Sequence, residues 1–162
     1  MPLKHSLSER LSVYSSKHFP WFSKQTCQHR HQVVVGVGGN IGDVQRRFEH
    51  LFFEIQKDKR VVLTQTSLIL KNPPFGFTEQ GDFLNTIIVI KTSMNAKVFL
   101  DYLMRLEKKF GRKRSFSNAP RTLDLDIIFF DNLVMNTDKL TLPHPAWMER
   151  ESVLIPLSGL YL

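Results

Sequence analysis

Cysteine is nearly absent: Cys27 stands alone among 162 residues. That excludes an intramolecular disulfide framework and any cysteine-based metal cage. No apolar run approaches the ~20 residues that span a bilayer, so no transmembrane helix is expected and a membrane partner is excluded. Both absences suit a reducing, aqueous compartment, the cytoplasm. Tryptophan and tyrosine are scarce, at two and three, while thirteen phenylalanines supply most of the aromatic bulk for a core. Acidic residues run short in two places. Residues 1–32 hold five Lys or Arg against Glu9, and Arg105–Arg121 holds seven basic residues against Glu107. Apolar content of 42% and charged content of 23% are ordinary for a globular protein, and the length suits one domain.

Residues 1–32 read as a basic arm ahead of a domain spanning 33–162. Leu3, Leu7, Leu11 and Tyr14 make a weak helical stripe. The arm shares its basic, acid-poor character with organelle transit peptides, but its arginine content is low for one. Cytoplasmic location is therefore favoured over import, and His29 and His31 belong to a solvated tail.

Val33–Val37 predicts a short strand, followed by a turn over Gly38–Asp43. Val44, Phe48, Leu51, Phe52 and Ile55 recur at helical spacing. Val61–Leu70 predicts a second strand, ended by Asn72-Pro73-Pro74-Phe75-Gly76, since consecutive prolines cannot continue a ladder. Phe83–Ile90 is a third strand. Asn95 is an N-cap for a helix with the stripe Phe99, Leu103, Leu106 and Phe110, closed by Gly111. A basic loop over 112–121 leads into a strand over 123–130. Leu140–Leu142 is a short strand, and Val153–Leu157 ends the fold. The order βαββαβ predicts an α+β, ferredoxin-like antiparallel sheet with the helices packed on one face.

The chemistry concentrates in Asp124-Leu125-Asp126-Ile127. A strand period of two puts Asp124 and Asp126 on one face and Leu125 and Ile127 on the other. Two buried carboxylates side by side repel each other and call for a cation. Magnesium fits, because it takes one or two carboxylates and keeps phosphate and water as its remaining ligands. Arg121 can grip a phosphate bidentately. A strand turning its aspartates to solvent is the plain alternative. Against it stand Arg112, Arg114, Arg121, His144 and Arg150, more cations than two aspartates need. A polyphosphate ligand carrying its own metal explains both acids and bases. Nucleic-acid binding would explain only the bases, and no aromatic run of the RNA-binding type is present. Gly36, Gly38 and Gly39 do not form a dinucleotide fingerprint, since Ile41 stands where a glycine is required. Asn85, in an apolar run, needs partners for its amide. A flat heterocycle with an amide-like edge or a nearby loop backbone would each serve. Glu107 is most simply a partner for neighbouring basic residues.

Assembled, these residues resemble the hydroxymethyldihydropterin pyrophosphokinases of folate biosynthesis. The resemblance rests on Ala119-Pro120-Arg121 with Asp124-Leu125-Asp126-Ile127-Ile128, on the opening Gly36–Asp43, on Asn72–Gly76, on Phe83-Leu84-Asn85 and on Leu142-Pro143-His144-Pro145. It covers about 33–158. It implies transfer of diphosphate from the co-substrate ATP to the hydroxymethyl group of a reduced pterin, giving AMP. By that resemblance two Mg2+ ions sit on Asp124 and Asp126, and Arg112, Arg121, Asp124 and Asp126 form the catalytic set. Glu107, Arg112, Arg114, Arg121, Ile127, His144 and Arg150 would bind ATP. Asn72, Pro73, Pro74, Phe75, Gly76, Phe83 and Asn85 would bind the pterin, with Phe83 stacking on it. The implied partners are these small molecules alone, and a monomer is expected. The sequence departs from the pattern at Ser152, where a second stacking aromatic is usual and Trp147 would have to fill the gap. It departs again at Met104 and at Ser117-Asn118. The chain also stops early, at Leu162, so the last element is either dropped or replaced by the arm.

Overall fold

The structure, a computed structural model, describes residues 4–74, 76–113 and 119–162. The assignments to Phe75 and Arg114, and the departure at Ser117-Asn118, lie outside those residues.

The β-branched run of Val33 to Val37 builds β4 (His31–Gly39), the central strand. It runs through Gly38 and Gly39, which the sequence placed in a turn, because β4 is paired on both sides at that level. Gly38 lies opposite Asn85 of β7 (Phe83–Thr92) and opposite Asp124 of β8 (Asp124–Phe130). The turn therefore shrinks to 40–43, and Asp43 caps α1 (Val44–Ile55) by accepting from the Arg46 amide. The expected strand over 61–70 is two strands, β5 (Val61–Thr66) and β6 (Ile69–Asn72). They separate at Ser67, whose hydroxyl accepts from the Ile87 amide at 2.8 Å and so takes the place of a ladder bond. Asn95 caps α2 (Ala96–Lys109) by accepting from Val98 N–H. Gly111, at φ +81°, makes the left-handed step that ends the helix region. The core strands run in the order β6-β7-β4-β8, with β5 also on β7 and every pairing antiparallel. This is the expected ferredoxin-like arrangement.

Of the helical stripe read from Leu3, Leu7, Leu11 and Tyr14, Leu3 lies outside the described residues and the other three are not helical. Lys4–Ser6 (β1) and Ser12–Tyr14 (β2) form a hairpin that adds to the free edge of β6, and Trp21–Phe22 (β3) pairs with β5. The reason is local. So sparse a stripe gains little by nucleating a helix, whereas an open sheet edge offers ready hydrogen bonds. Phe19 is fully buried against Phe48 and Phe52 of α1, so this segment fills part of the main core.

Strand alternation divides the apolar residues between two faces. Val33, Val35, Val37, Ile88, Ile90, Leu125 and Ile127 pack under α1 and α2. Val34, Ile87, Val89 and Ile128 point the other way and are covered by Val153 of α3 (Glu151–Leu157). Helices thus lie on both faces, not one, because the second face carries its own apolar row that must be shielded from water. Two further short strands, β9 (Met135–Asn136) and β10 (Thr141–Leu142), pair apart from the main sheet. No helix among the described residues is long and apolar enough to cross a membrane.

Candidate active site

Register assembles the site. Residues opposite one another in adjacent strands share a face. Leu70 of β6 lies opposite Asn85, Asn85 opposite Gly38, and Gly38 opposite Asp124. The neighbouring rows add Asn72 opposite Phe83, and Gly36 opposite Asp126. Asn72, Phe83, Asn85, Asp124 and Asp126 therefore lie along one face, the face that α3 covers further along. Two strand spacings separate Asn85 from Asp124, or about 10 Å. The glycines between them keep the floor low. A Cβ on Gly38 would come within 2.6 Å of the Asn85 amide oxygen, so the Asn85 side chain lies across the space Gly38 leaves. Gly39 serves the opposite face, where a Cβ would come within 2.6 Å of the Thr122 carbonyl oxygen.

At the Asn85 end, the Asn85 amide donates to Asn72 Oδ1 at 2.6 Å, and the Asn72 amide donates to the Pro73 carbonyl. Asn85 thus pairs with the side chain of a neighbouring strand residue, not with a loop backbone, and its Oδ1 is left for something else. Phe83 is half-buried, with the Arg121 guanidinium 5.8 Å above its ring.

At the carboxylate end, Asp124 is gripped twice. Arg121 Nη1 donates to Oδ2 at 2.8 Å, and Arg112 Nη1 donates to Oδ1. Arg112 also donates to Glu107 at 2.9 Å, and Glu107 accepts from the Leu125 amide at 2.9 Å. Glu107 is buried on α2, so it ties the helix to the aspartate strand through main chain and arginine together. Burial alone would raise the Asp124 carboxyl, but Arg121 and Arg112 outweigh it and hold it below the usual range. Asp126 goes the other way. Burial, then the charges of Asp124 and Glu107, push it up to about 7. The two carboxyls two residues apart are thus driven in opposite directions, as at sites that handle charge. The Arg112 Nε–H is buried with no acceptor. Ile127 has its side chain in the core under the helices, so only its main chain is left to face a ligand.

His144 comes alongside through a main-chain bond from its amide to the Ile128 carbonyl. Its Nδ1 accepts from the Ala146 amide at 3.1 Å, which leaves the proton of the neutral ring on Nε2. Burial, and then Arg150, lower its pKa, so at neutral pH it is an uncharged donor. Trp147 packs edge-on against Phe129, 4.9 Å between ring centres, and is committed to that contact.

A family profile described as 7,8-dihydro-6-hydroxymethylpterin-pyrophosphokinase (HPPK) matches residues 34–161. The chain belongs to this family. Three similar proteins, each named 2-amino-4-hydroxy-6-hydroxymethyldihydropteridine pyrophosphokinase, support the assignment. The Campylobacter jejuni protein is 42% identical over 142 residues, covering 88% of this chain and 90% of that one. The Helicobacter pylori protein is 38% identical over 148 residues, covering 90% and 91%. The Bacillus subtilis protein is 36% identical over 124 residues, covering 76% and 74%. The chain is thus an enzyme, a pyrophosphokinase of folate synthesis.

With the HPPK family established, the geometry shows what sequence reasoning passed over. Asn40 was read only as part of a glycine turn. Its side chain accepts from the Arg121 amide at 3.0 Å and donates to Gln80 Oε1 and the Gly81 carbonyl. It clamps the end of β4, the loop before β7 and the arginine of the Asp strand together. Arg47 of α1 donates to the carbonyls of Ile41 and Thr122, fixing the same junction from below. One signal existed for Asn40: an amide directly after paired glycines, where backbone groups are left without a ladder.

Proposed function

We propose that this HPPK-family chain transfers the terminal diphosphate of ATP to the hydroxymethyl oxygen of 6-hydroxymethyl-7,8-dihydropterin, releasing AMP. One observation carries the reading. The row Asn85–Gly38–Asp124 sets an amide end and a carboxylate end about 10 Å apart on one face, with glycine between them. That span suits a bicyclic heterocycle whose hydroxymethyl arm reaches toward bound phosphates.

At the heterocycle end, Asn85 presents its amide and Phe83 its ring, with Asn72, Pro73, Pro74 and Gly76 at the rim. Phe75 is assigned here on resemblance. At the other end, the donor set suits magnesium. Asp124 and Asp126 supply two carboxylates, and among the described residues no group of three or more His, Cys, Asp or Glu forms a protein-only cage. Phosphate and water would then complete the coordination. When bound there, two Mg2+ ions would offset the charge of the triphosphate. Burial and the charges of Asp124 and Glu107 raise the Asp126 carboxyl, and a cation held by the two carboxylates would offset that repulsion. Arg112 and Arg121 bring two guanidiniums to the same end, and His144 aims its Nε2–H as a neutral donor to a phosphate oxygen. Arg150 adds its charge, and Arg114 is assigned by resemblance. Glu107 holds Arg112 and the Leu125 amide in place.

In the reaction, the pterin hydroxyl oxygen forms a bond to the β-phosphorus and loses its proton to solvent, while the bond from that phosphorus to the α,β-bridging oxygen breaks and AMP leaves with that oxygen. Such transfers rest on positioning and on electrostatic stabilisation more than on covalent help from the protein. The test is direct. Protein, MgATP and the hydroxymethyl pterin are incubated together and the nucleotide product is identified. AMP supports the reading; ADP, or no pterin-dependent product, rejects it.

A further inference from the structure

We propose that the amino-terminal hairpin, which lies before the family-matched residues 34–161, forms the outer wall of the heterocycle pocket through Leu11. The inference rests on the function proposed above and names a specificity-determining residue for it.

The placement follows from register. β2 lies on β6 with Ser12 opposite Lys71 and Val13 opposite Leu70. Leu11 directly precedes β2, and the register continued by one step sets it level with Asn72, which is itself opposite Phe83. Leu11 therefore shares the row and the face of two heterocycle-end residues. Val13, two residues on, continues the same face and is buried. Leu11 is only half-buried, and Leu7, whose amide donates to the Leu11 carbonyl at 2.9 Å, is 51% exposed. Two leucines thus stand at the rim of the site without being used up by the core.

The turn that carries them is held in shape. Ser8 Oγ accepts from the amides of Arg10 and Leu11, and Ser6 Oγ donates to the Ser8 carbonyl at 3.0 Å. The pairing also buttresses β6 from its outer side, and β6 ends in Asn72, where the proline loop begins. A need for such a wall exists. Phe83 supplies one ring face, Ser152 is not an aromatic, and Trp147 is committed to Phe129. A flat apolar ring left uncovered on its second side would bind weakly. The hairpin leucines would instead add aliphatic cover at the outer edge of the heterocycle end, beyond Asn72.

The test uses full-length protein carrying Leu11→Ser or Leu11→Met. Binding of the hydroxymethyl pterin is measured by titration with magnesium and an ATP analogue whose α,β-bridging oxygen is a methylene. Binding of that analogue alone and the melting temperature are measured beside it. Leu11→Ser should weaken pterin binding about five- to tenfold, the loss of roughly one half-buried aliphatic contact. Nucleotide affinity and melting temperature should stay essentially those of the wild type, and Leu11→Met should restore pterin affinity. Unchanged pterin affinity in Leu11→Ser would overturn the hairpin's role. So would equal losses for both ligands with a lowered melting temperature, which would make Leu11 merely structural. Wild-type protein that binds nucleotide but no pterin would overturn the proposed function itself, and this assignment with it.

Discussion

Asp126→Asn should make the protein more stable at pH 8 while removing most of its turnover. Burial and the charges of Asp124 and Glu107 raise the Asp126 carboxyl to about 7 in the folded chain, against about 3.9 when unfolded. Between those values the folded state binds more protons than the unfolded one. Stability therefore falls as pH rises through this window and levels off above 7. A shift of about three units sets a ceiling of about 4 kcal/mol. Water reaching the rim of the site raises the effective dielectric constant, so about 1–3 kcal/mol is the expected gain for the neutral, near-isosteric Asn. For a chain of this size that amounts to roughly 2–4 °C in Tm per kcal/mol. The assay is thermal or urea unfolding of both proteins from pH 4 to pH 8. The variant's advantage should be greatest at pH 8 and shrink toward pH 4, where the folded wild-type carboxyl is protonated and the unfolded one is about half protonated. Turnover should fall about 10²–10³-fold, the usual cost of losing one such electrostatic group. A variant equal to or less stable than the wild type at pH 8 would refute the reasoning, because Asp126 would then be satisfied by its surroundings.

Asp124→Ala should cost about 10²–10³ in turnover at saturating magnesium while circular dichroism shows an intact fold; near-normal kcat would remove Asp124 from the catalytic set. Asn85→Ala should weaken pterin binding at least about tenfold, from one or two unsatisfied groups, with MgATP affinity kept within a few-fold in separate titrations. Gly38→Ala places a Cβ within 2.6 Å of the Asn85 oxygen and should reproduce that loss. Combining it with Asn85→Ala should add almost nothing, since both act on one side chain; additive losses would show that Gly38 serves something else. Phe19→Ala should cost about 3–5 kcal/mol by denaturant unfolding, because the ring is fully buried against α1. A change below 1 kcal/mol, about the level of a surface substitution, would mean that the amino-terminal segment is not part of the core.

Local sequence determined whatever depends on neighbours within a few residues. The stripes Val44-Phe48-Leu51-Phe52-Ile55 and Phe99-Leu103-Leu106 specified α1 and α2. Asn95 and Gly111 marked the two ends of the second helix, and alternation around Asp124 and Asp126 put both carboxylates on one face with Leu125 and Ile127 behind them. The residue types at the candidate site were legible for the same reason: paired acids amid excess arginine have few stable uses besides a metal and phosphates.

Tertiary structure decided whatever depends on a backbone partner supplied from far along the chain. Gly38 and Gly39 are strand and not turn only because β7 and β8 pair with β4 there. Ser12–Tyr14 and Trp21–Phe22 are strands only because β6 and β5 leave edges open, and no spacing within that segment announces an edge so far along the chain. The third helix takes the second face because Val34, Ile87, Val89 and Ile128, drawn from three strands, meet there. Register across β7, β4 and β8 is likewise what sets Asn85, Gly38 and Asp124 in one row. Hydrogen bonding between strands is blind to side-chain identity, so the sequence could name the residues of the site but not the order in which they lie across the sheet.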